Sequence, residues 1–168
     1  VMAIGRTMEE SLLKAVRSLE TGVCHIYHKK FDEWTREQLL DYIKEFRSDN
    51  IFAIAELLYH GVSIDKIHEV TKITPYFLES IKRIIDMEEA LRGKAFDLDT
   101  LKAAKAMGFS DKYVARMWKC AELDVFKFRR ENKLFPVFRM VDTCHTGAYI
   151  PYFYSSYTGE NTSVLTDK

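Results

Sequence analysis

Cys24-His25 with His28, and Cys144-His145 further on, put thiol and imidazole side by side, the donors that zinc sites and cysteine nucleophiles use. Neither group has the spacing those chemistries need. Zinc ligands come in Cys-x-x-Cys or His-x-x-x-His pairs that set two donors on one side of a turn. Cys144 and His145 are adjacent, and in an extended chain adjacent side chains point to opposite faces. Cys144 therefore reads as a buried structural thiol. A second candidate chemistry is phosphate contact by a row of cations: Lys112, Arg116, Lys119, Lys127, Arg129 and Arg130. Tyr149, Tyr152, Tyr154 and Tyr157 could stack bases. Against both, Val125, Phe126 and Phe128 interleave with the cations at core spacing, and helix packing accounts for the tyrosines more simply. The seven glycines are scattered singly, so no loop cradles phosphate.

The elements that must position these residues are helices. Thr7 and Glu10 form a capping-box pair that opens a helix over Arg6 to Glu20, with Met8, Leu12, Ala15, Val16 and Leu19 as its buried stripe. Val23 to Trp34 has no helical period. Thr35 and Gln38 open a second helix through Leu39, Leu40, Ile43 and Phe46. Ser48-Asp49-Asn50 caps a third, with Ile51, Ile54, Ala55 and Leu58 inward and Gly61 at its end. Two units then resemble each other. Gly61-Val62-Ser63 is followed by Ile67, Val70, a break at Thr74-Pro75, then Leu78 and Ile81. Gly108-Phe109-Ser110 is followed by Val114, Met117, a break near Cys120-Ala121, then Val125 and Phe128. In each, glycine ends one helix and serine caps the next. The outline is that of a helix-turn-helix or of a plain helical hairpin, and the neutral charge favours the hairpin. The longest helix starts at Pro75 and closes at Gly93, and Asp97 or Asp99 caps a small one through Leu101, Ala104 and Met107.

From Phe135 the helical rhythm stops. Pro136 and Pro151 exclude helix, and aromatic residues crowd Phe135 to Tyr157 without helical spacing. So apolar a strap needs a surface to lie on. The expected fold is all-α: an irregular bundle of roughly eight helices over 1–134, with an extended aromatic connector over 135–168.

Composition narrows the function. Lysine plus arginine number 25 against 25 acidic residues, which disfavours a polyanion-binding specialist, and no nucleic-acid partner is expected. The longest apolar run, Ile51 to Ala55, is too short to span a bilayer. Three cysteines at unrelated spacings suit a reducing, cytoplasmic setting. No charged, apolar leader opens the chain, and its first residues read like the end of a strand, as in a piece of a longer polypeptide. The residues alone describe a helical packing domain with no catalytic, cofactor or metal site. Ile26, Tyr27, Phe31 and Trp34 lie in a loop too apolar to face water and form the candidate subunit interface. A homo-oligomer is expected.

Longer stretches resemble a known family. Ala3 to Ala15 with Arg17-Ser18-Leu19-Glu20 is similar to the exit from the first ATP-grasp half of the carbamoyl-phosphate synthetase large subunit. Gly61-Val62-Ser63, the Thr74-Pro75-Tyr76-Phe77-Leu78 turn and Lys105 to Asp111 resemble the helical oligomerisation domain that follows it. Phe138 to Cys144 and Pro151 to Tyr157 resemble the connector into the second ATP-grasp half. After Cys144 the family usually continues Ala-Ala-Glu-Phe, whereas this chain has His145-Thr146-Gly147-Ala148. The resemblance implies a parent that makes carbamoyl phosphate from bicarbonate, glutamine-derived ammonia and two MgATP, for arginine and pyrimidine synthesis. It implies as partners the other domains of the large subunit and a glutaminase small subunit. Neither ATP-grasp half is present, so the family's catalytic residues have no positions here. The role implied for this piece is to hold the two halves in register and to join subunits. Phe138, Arg139, Val141, Asp142, Tyr152, Tyr154 and Tyr157 are the candidate connector residues. The alternative is a free-standing helix-turn-helix nucleic-acid binder or helical protein-interaction module.

Overall fold

The computed structural model describes residues 1–141 and 152–163. Its helices are α1 (Met8–Ser18), α2 (Arg36–Tyr42), α3 (Asn50–Tyr59), α4 (Ile64–Thr71), α5 (Pro75–Gly93), α6 (Leu98–Ala106), α7 (Asp111–Trp118) and α8 (Glu122–Glu131). A 3₁₀ turn spans Lys29–Phe31, and strands β1 (Val137–Met140) and β2 (Phe153–Ser156) pair antiparallel. The architecture is the expected irregular helical bundle. No helix among the described residues is long and apolar enough to cross a membrane.

The caps fall where the side-chain chemistry puts them. Thr7, Ser63, Asp97 and Ser110 each accept from the backbone N–H three residues on, and Thr35 and Gln38 complete a reciprocal capping box. Two expected details differ. Helix α2 stops at Tyr42 and Phe46 stands fully in solvent, while the Tyr42 ring and hydroxyl are held by Lys30, Asp49 and Arg47. Asp49 therefore gives α3 no side-chain cap. The inward stripe of α1 is Leu13 and Val16 with Glu9 and Glu10, while Leu19 is exposed. Two carboxylates can lie inward there because Glu9 meets Arg83, and Glu10 meets Lys14 and the Arg6 N–H.

The repeated unit extends to three helices. In α3 the N–H groups of His60 and Val62 bond the carbonyls of Glu56 and Leu57; in α6 those of Met107 and Phe109 bond Ala103 and Ala104. Gly61 and Gly108 hold the left-handed turn at φ +75° and +89°. Lys72 and Lys119 end α4 and α7 in that same left-handed region. The triplets α3–α4–α5 and α6–α7–α8 are thus built by one rule. Helix α5 lies at the centre, packed on α1, α3, α4, α6 and α7. Leu57, Ile67, Leu78, Ile84, Leu91, Leu101, Val114 and Val125 make a single core with no exposed surface. No Cβ would fit freely at Gly108, since one built there would sit 3.0 Å from the Glu10 Cα, so the second triplet closes directly onto α1. Arg17 bonds the Gly108 carbonyl at 2.7 Å and fixes that contact.

Candidate functional site

The β hairpin turns back onto the bundle through polar and aromatic contacts. On β2 and just after it, Tyr154, Ser156 and Tyr157 face the helices. Lys14 of α1 donates to the carbonyls of Ile4 and Ser155, pairs with Glu10 at 2.9 Å, and lies 5.6 Å from the Tyr154 ring centre. Tyr157 covers two buried cations, Lys105 at 4.7 Å and Arg129 at 5.6 Å from its ring centre. Beneath it Lys105 donates to the Phe109 carbonyl and to Asp111 Oδ1, both at 2.8 Å. Arg129 reaches Asp111 Oδ2 through Nε and Nη2 at 3.2 and 3.0 Å, and the Leu134 carbonyl through Nη1. Burial pushes the Asp111 carboxyl up, but Lys105 and Arg129 outweigh it and hold it below the usual carboxylate range. Burial lowers the Lys105 ammonium, with Asp111 opposing. Two cations share one carboxylate, and the electron-rich face of Tyr157 closes over the surplus charge. This is a clasp between the C-terminal strap and helices α1, α6, α7 and α8.

The strap also carries an outward face. Phe138, Tyr152 and Phe153 are 49%, 72% and 38% exposed. Val141 donates to the Tyr152 carbonyl, and Arg139 packs against Gly159. The outer edge of β1 is covered by the following chain, where Thr162 donates to the Phe138 carbonyl and Asn161 accepts from the Phe138 N–H. Asp142, Cys144, His145, Tyr149 and Pro151 lie outside the described residues.

A second polar group lies deep in the bundle. Glu88 of α5 has no exposed surface, and its carboxylate accepts from His25 Nε2 at 2.8 Å, from the Tyr59 hydroxyl and from the Tyr113 hydroxyl at 2.9 Å. Arg92 lies 3.6 Å away. The His25 and Tyr113 rings stack at 3.7 Å. Burial and the adjacent carboxylate raise both tyrosines, which stay protonated donors. Burial lowers His25, against the pull of Glu88 and with Arg17 and Arg116 helping, so the imidazole is neutral.

That lowered value sets a pH dependence. An unfolded histidine takes up a proton near pH 6.5 while the folded one refuses it. Stability from this residue is complete above about pH 6.5 and falls as pH drops through that value toward the folded pKa. Glu56, raised by burial, has the opposite sign at lower pH. Melting curves at successive pH values should therefore show a loss on acidification through pH 6.5 that His25→Gln reduces, and parallel curves for the two proteins would contradict it.

The proposed subunit-contact residues do not form one surface. Ile26 and Phe31 are core residues, 0% and 1% exposed, and so cannot present a face to a partner. The loop is apolar because it is inserted into its own bundle. Tyr27 and Trp34 remain half-buried at the surface, Tyr27 beneath the Arg116 guanidinium and Trp34 edge-on to Phe31 and Tyr42. The cation row is also divided, since Arg129 is enclosed with Asp111. Cys24, His25 and His28 assemble no ligand cluster, and none of three or more His, Cys, Asp or Glu residues occurs among the described residues.

A family model described as the carbamoyl-phosphate synthetase large chain, oligomerisation domain, matches residues 1–133. The chain belongs to that family. The oligomerisation-domain match takes in α1 through α8 and leaves the hairpin, from Val137 on, outside it. The clasp residues Lys14, Lys105, Asp111 and Arg129 all lie on the matched portion, and Tyr154 and Tyr157 lie beyond it.

Sequence reading passed over the clasp and the Glu88 group, though each left a signal. Lys105 stands four residues after Leu101 and one after Ala104, on the apolar stripe of α6. Glu88 follows Ile81, Ile84 and Ile85 at the spacing that leads to Leu91. A charge on the buried stripe of a helix demands a partner. Which partner it finds depends on tertiary packing.

Proposed function

We propose that this chain is the structural and oligomerisation domain of a carbamoyl-phosphate synthase large subunit, holding two ATP-grasp halves in register and mediating subunit association. The parent is an ATP-dependent ligase of the cytoplasm that makes carbamoyl phosphate from bicarbonate, glutamine-derived ammonia and two MgATP, in the service of arginine and pyrimidine synthesis. Its glutaminase small subunit and the flanking domains of the same chain are the partners. The domain itself performs no chemistry and binds none of the MgATP.

The observation that carries this reading is the family match over α1 to α8, joined to a strap that is clasped to the first helix. Lys14 on α1 and Tyr154 on β2 belong to opposite ends of the sequence, so the clasp ties the entry of the domain to its exit. A register-keeping domain needs such a tie, because a loose exit would let the following half swing.

Weakening the clasp in the full large subunit tests the proposal. Lys14→Met with Tyr157→Ala should lower carbamoyl phosphate formed per ATP hydrolysed while each half retains its own ATP turnover. Unchanged coupling in a folded double variant would contradict a register-keeping role.

A further inference from the structure

Two clefts meet beside the Glu88 group. The larger, about 290 Å³, is lined by Thr21 to His25, Tyr27, His28, Lys29, Tyr113 and Arg116. The smaller, about 190 Å³, shares Tyr27, Tyr113 and Arg116 and adds Glu56, Tyr59 and Arg92. Two groups at this junction have unmet bonding capacity. His25 is 1% exposed, and its Nδ1 has no hydrogen-bond partner although Nε2 is bonded to Glu88. His25 is among the residues that line the larger cleft, and its Nδ1 lies buried beneath that lining. With Nε2 donating, Nδ1 carries a bare lone pair and can only accept. Arg116 is the second group. Its guanidinium rests on the Tyr27 ring at 4.7 Å and has no carboxylate within ion-pair distance among the described residues.

An acceptor that needs an O–H and a guanidinium that needs an anion, on two residues that line one small cleft, define a ligand carrying both. We infer that the cleft binds a small oxyanion that retains one proton, of the hydrogen-phosphate class, with its O–H on His25 Nδ1 and its charged oxygens on Arg116. Arg116 and Lys29 favour an anion in the cleft, Glu56 and Asp32 nearby oppose it, and Arg92 faces the buried Glu88. Nδ1 has no exposed surface, so the ligand reaches it by a shift of the Thr21 to Tyr27 segment. Thr21 and Gly22 are exposed, Gly22 turns at φ +80°, and no backbone hydrogen bond holds Thr21 to Tyr27 among the described residues.

Hydrogen phosphate and sulfate are dianions of one size near pH 7.5, and only the first has a proton to donate. Calorimetric titration of the chain with inorganic phosphate should give saturable binding, and sulfate should bind at least about tenfold more weakly, because it leaves Nδ1 unpaired. Phosphate, but not sulfate, should shift the ¹⁵N resonance of His25 Nδ1. Arg116→Ala, at an exposed position that leaves the core intact, should abolish both interactions, and His25→Gln should erase the preference for phosphate. The inference is overturned if neither ion binds, if the two bind alike, or if the folded Arg116→Ala protein binds phosphate unchanged.

Discussion

Glu88→Ala should destabilise the domain by about 3–5 kcal/mol, the cost of breaking a buried charged network from one side. Three donors converge on that carboxylate from three parts of the chain: His25 before α2, Tyr59 at the end of α3 and Tyr113 in α7. Removing it leaves the buried His25 N–H and Tyr113 hydroxyl unpaired, each uncompensated at about 1–3 kcal/mol before relaxation, and the half-buried Tyr59 hydroxyl at the cleft. Glu88→Gln should cost clearly less. Its carbonyl oxygen still accepts two of the donors, and its amide can donate to the third hydroxyl. Urea unfolding of the three proteins gives the comparison. An alanine variant within about 1 kcal/mol of wild type would mean that the group is hydrated rather than dry.

Asp111→Ala should have a comparable effect and a more local signature. Lys105 and Arg129, 5% and 7% exposed, would lose their shared carboxylate while remaining beneath Tyr157. Unpaired buried charge again sets a scale of about 3–5 kcal/mol. The cations can escape only by lifting the strap, so amide exchange at 153–157 should accelerate more than in the core of α5. Lys105→Met added to Asp111→Asn should recover part of the loss, because one of the two buried charges that needed a partner is gone while Arg129 keeps the Leu134 carbonyl. A double variant as unstable as Asp111→Ala would show that the carboxylate acts through the backbone of α7 instead.

The helices were legible because their signals are local. Thr7, Thr35, Ser63, Asp97 and Ser110 sit at N-caps, Pro75 opens α5, and Gly61 and Gly108 close the preceding helices. The repeat was legible for the same reason, down to the serine caps and the breaks after α4 and α7. The Val23 to Trp34 loop was misread in a specific way. Its apolar residues announce burial, but the sequence cannot say whether the cover is a partner or the loop's own bundle, and Ile26 and Phe31 take the second course. The clasp was beyond reach for a related reason. Lys14, Lys105, Asp111 and Arg129 come from four helices to meet Tyr154, Ser155 and Tyr157 of the strap, and no spacing relates residues that only folding brings together.

Self-association is the property on which the oligomerisation role stands, and the structure narrows where to look for it. Charged substitution at Ile26 would strike the core and report on folding rather than assembly. Trp34, half-buried at the surface, and Phe138, on the outward face of the hairpin, can be changed without opening the bundle. Apolar contact is worth roughly 25 cal/mol per Å², so modest burial suffices for an association visible at tens of micromolar. Sedimentation equilibrium of the chain over about 1–100 µM is the direct measurement. The expected result is a concentration-dependent dimer or larger species that Trp34→Glu or Phe138→Glu weakens while melting behaviour stays intact. A single monomeric species across that range would contradict the assignment of this domain to subunit association.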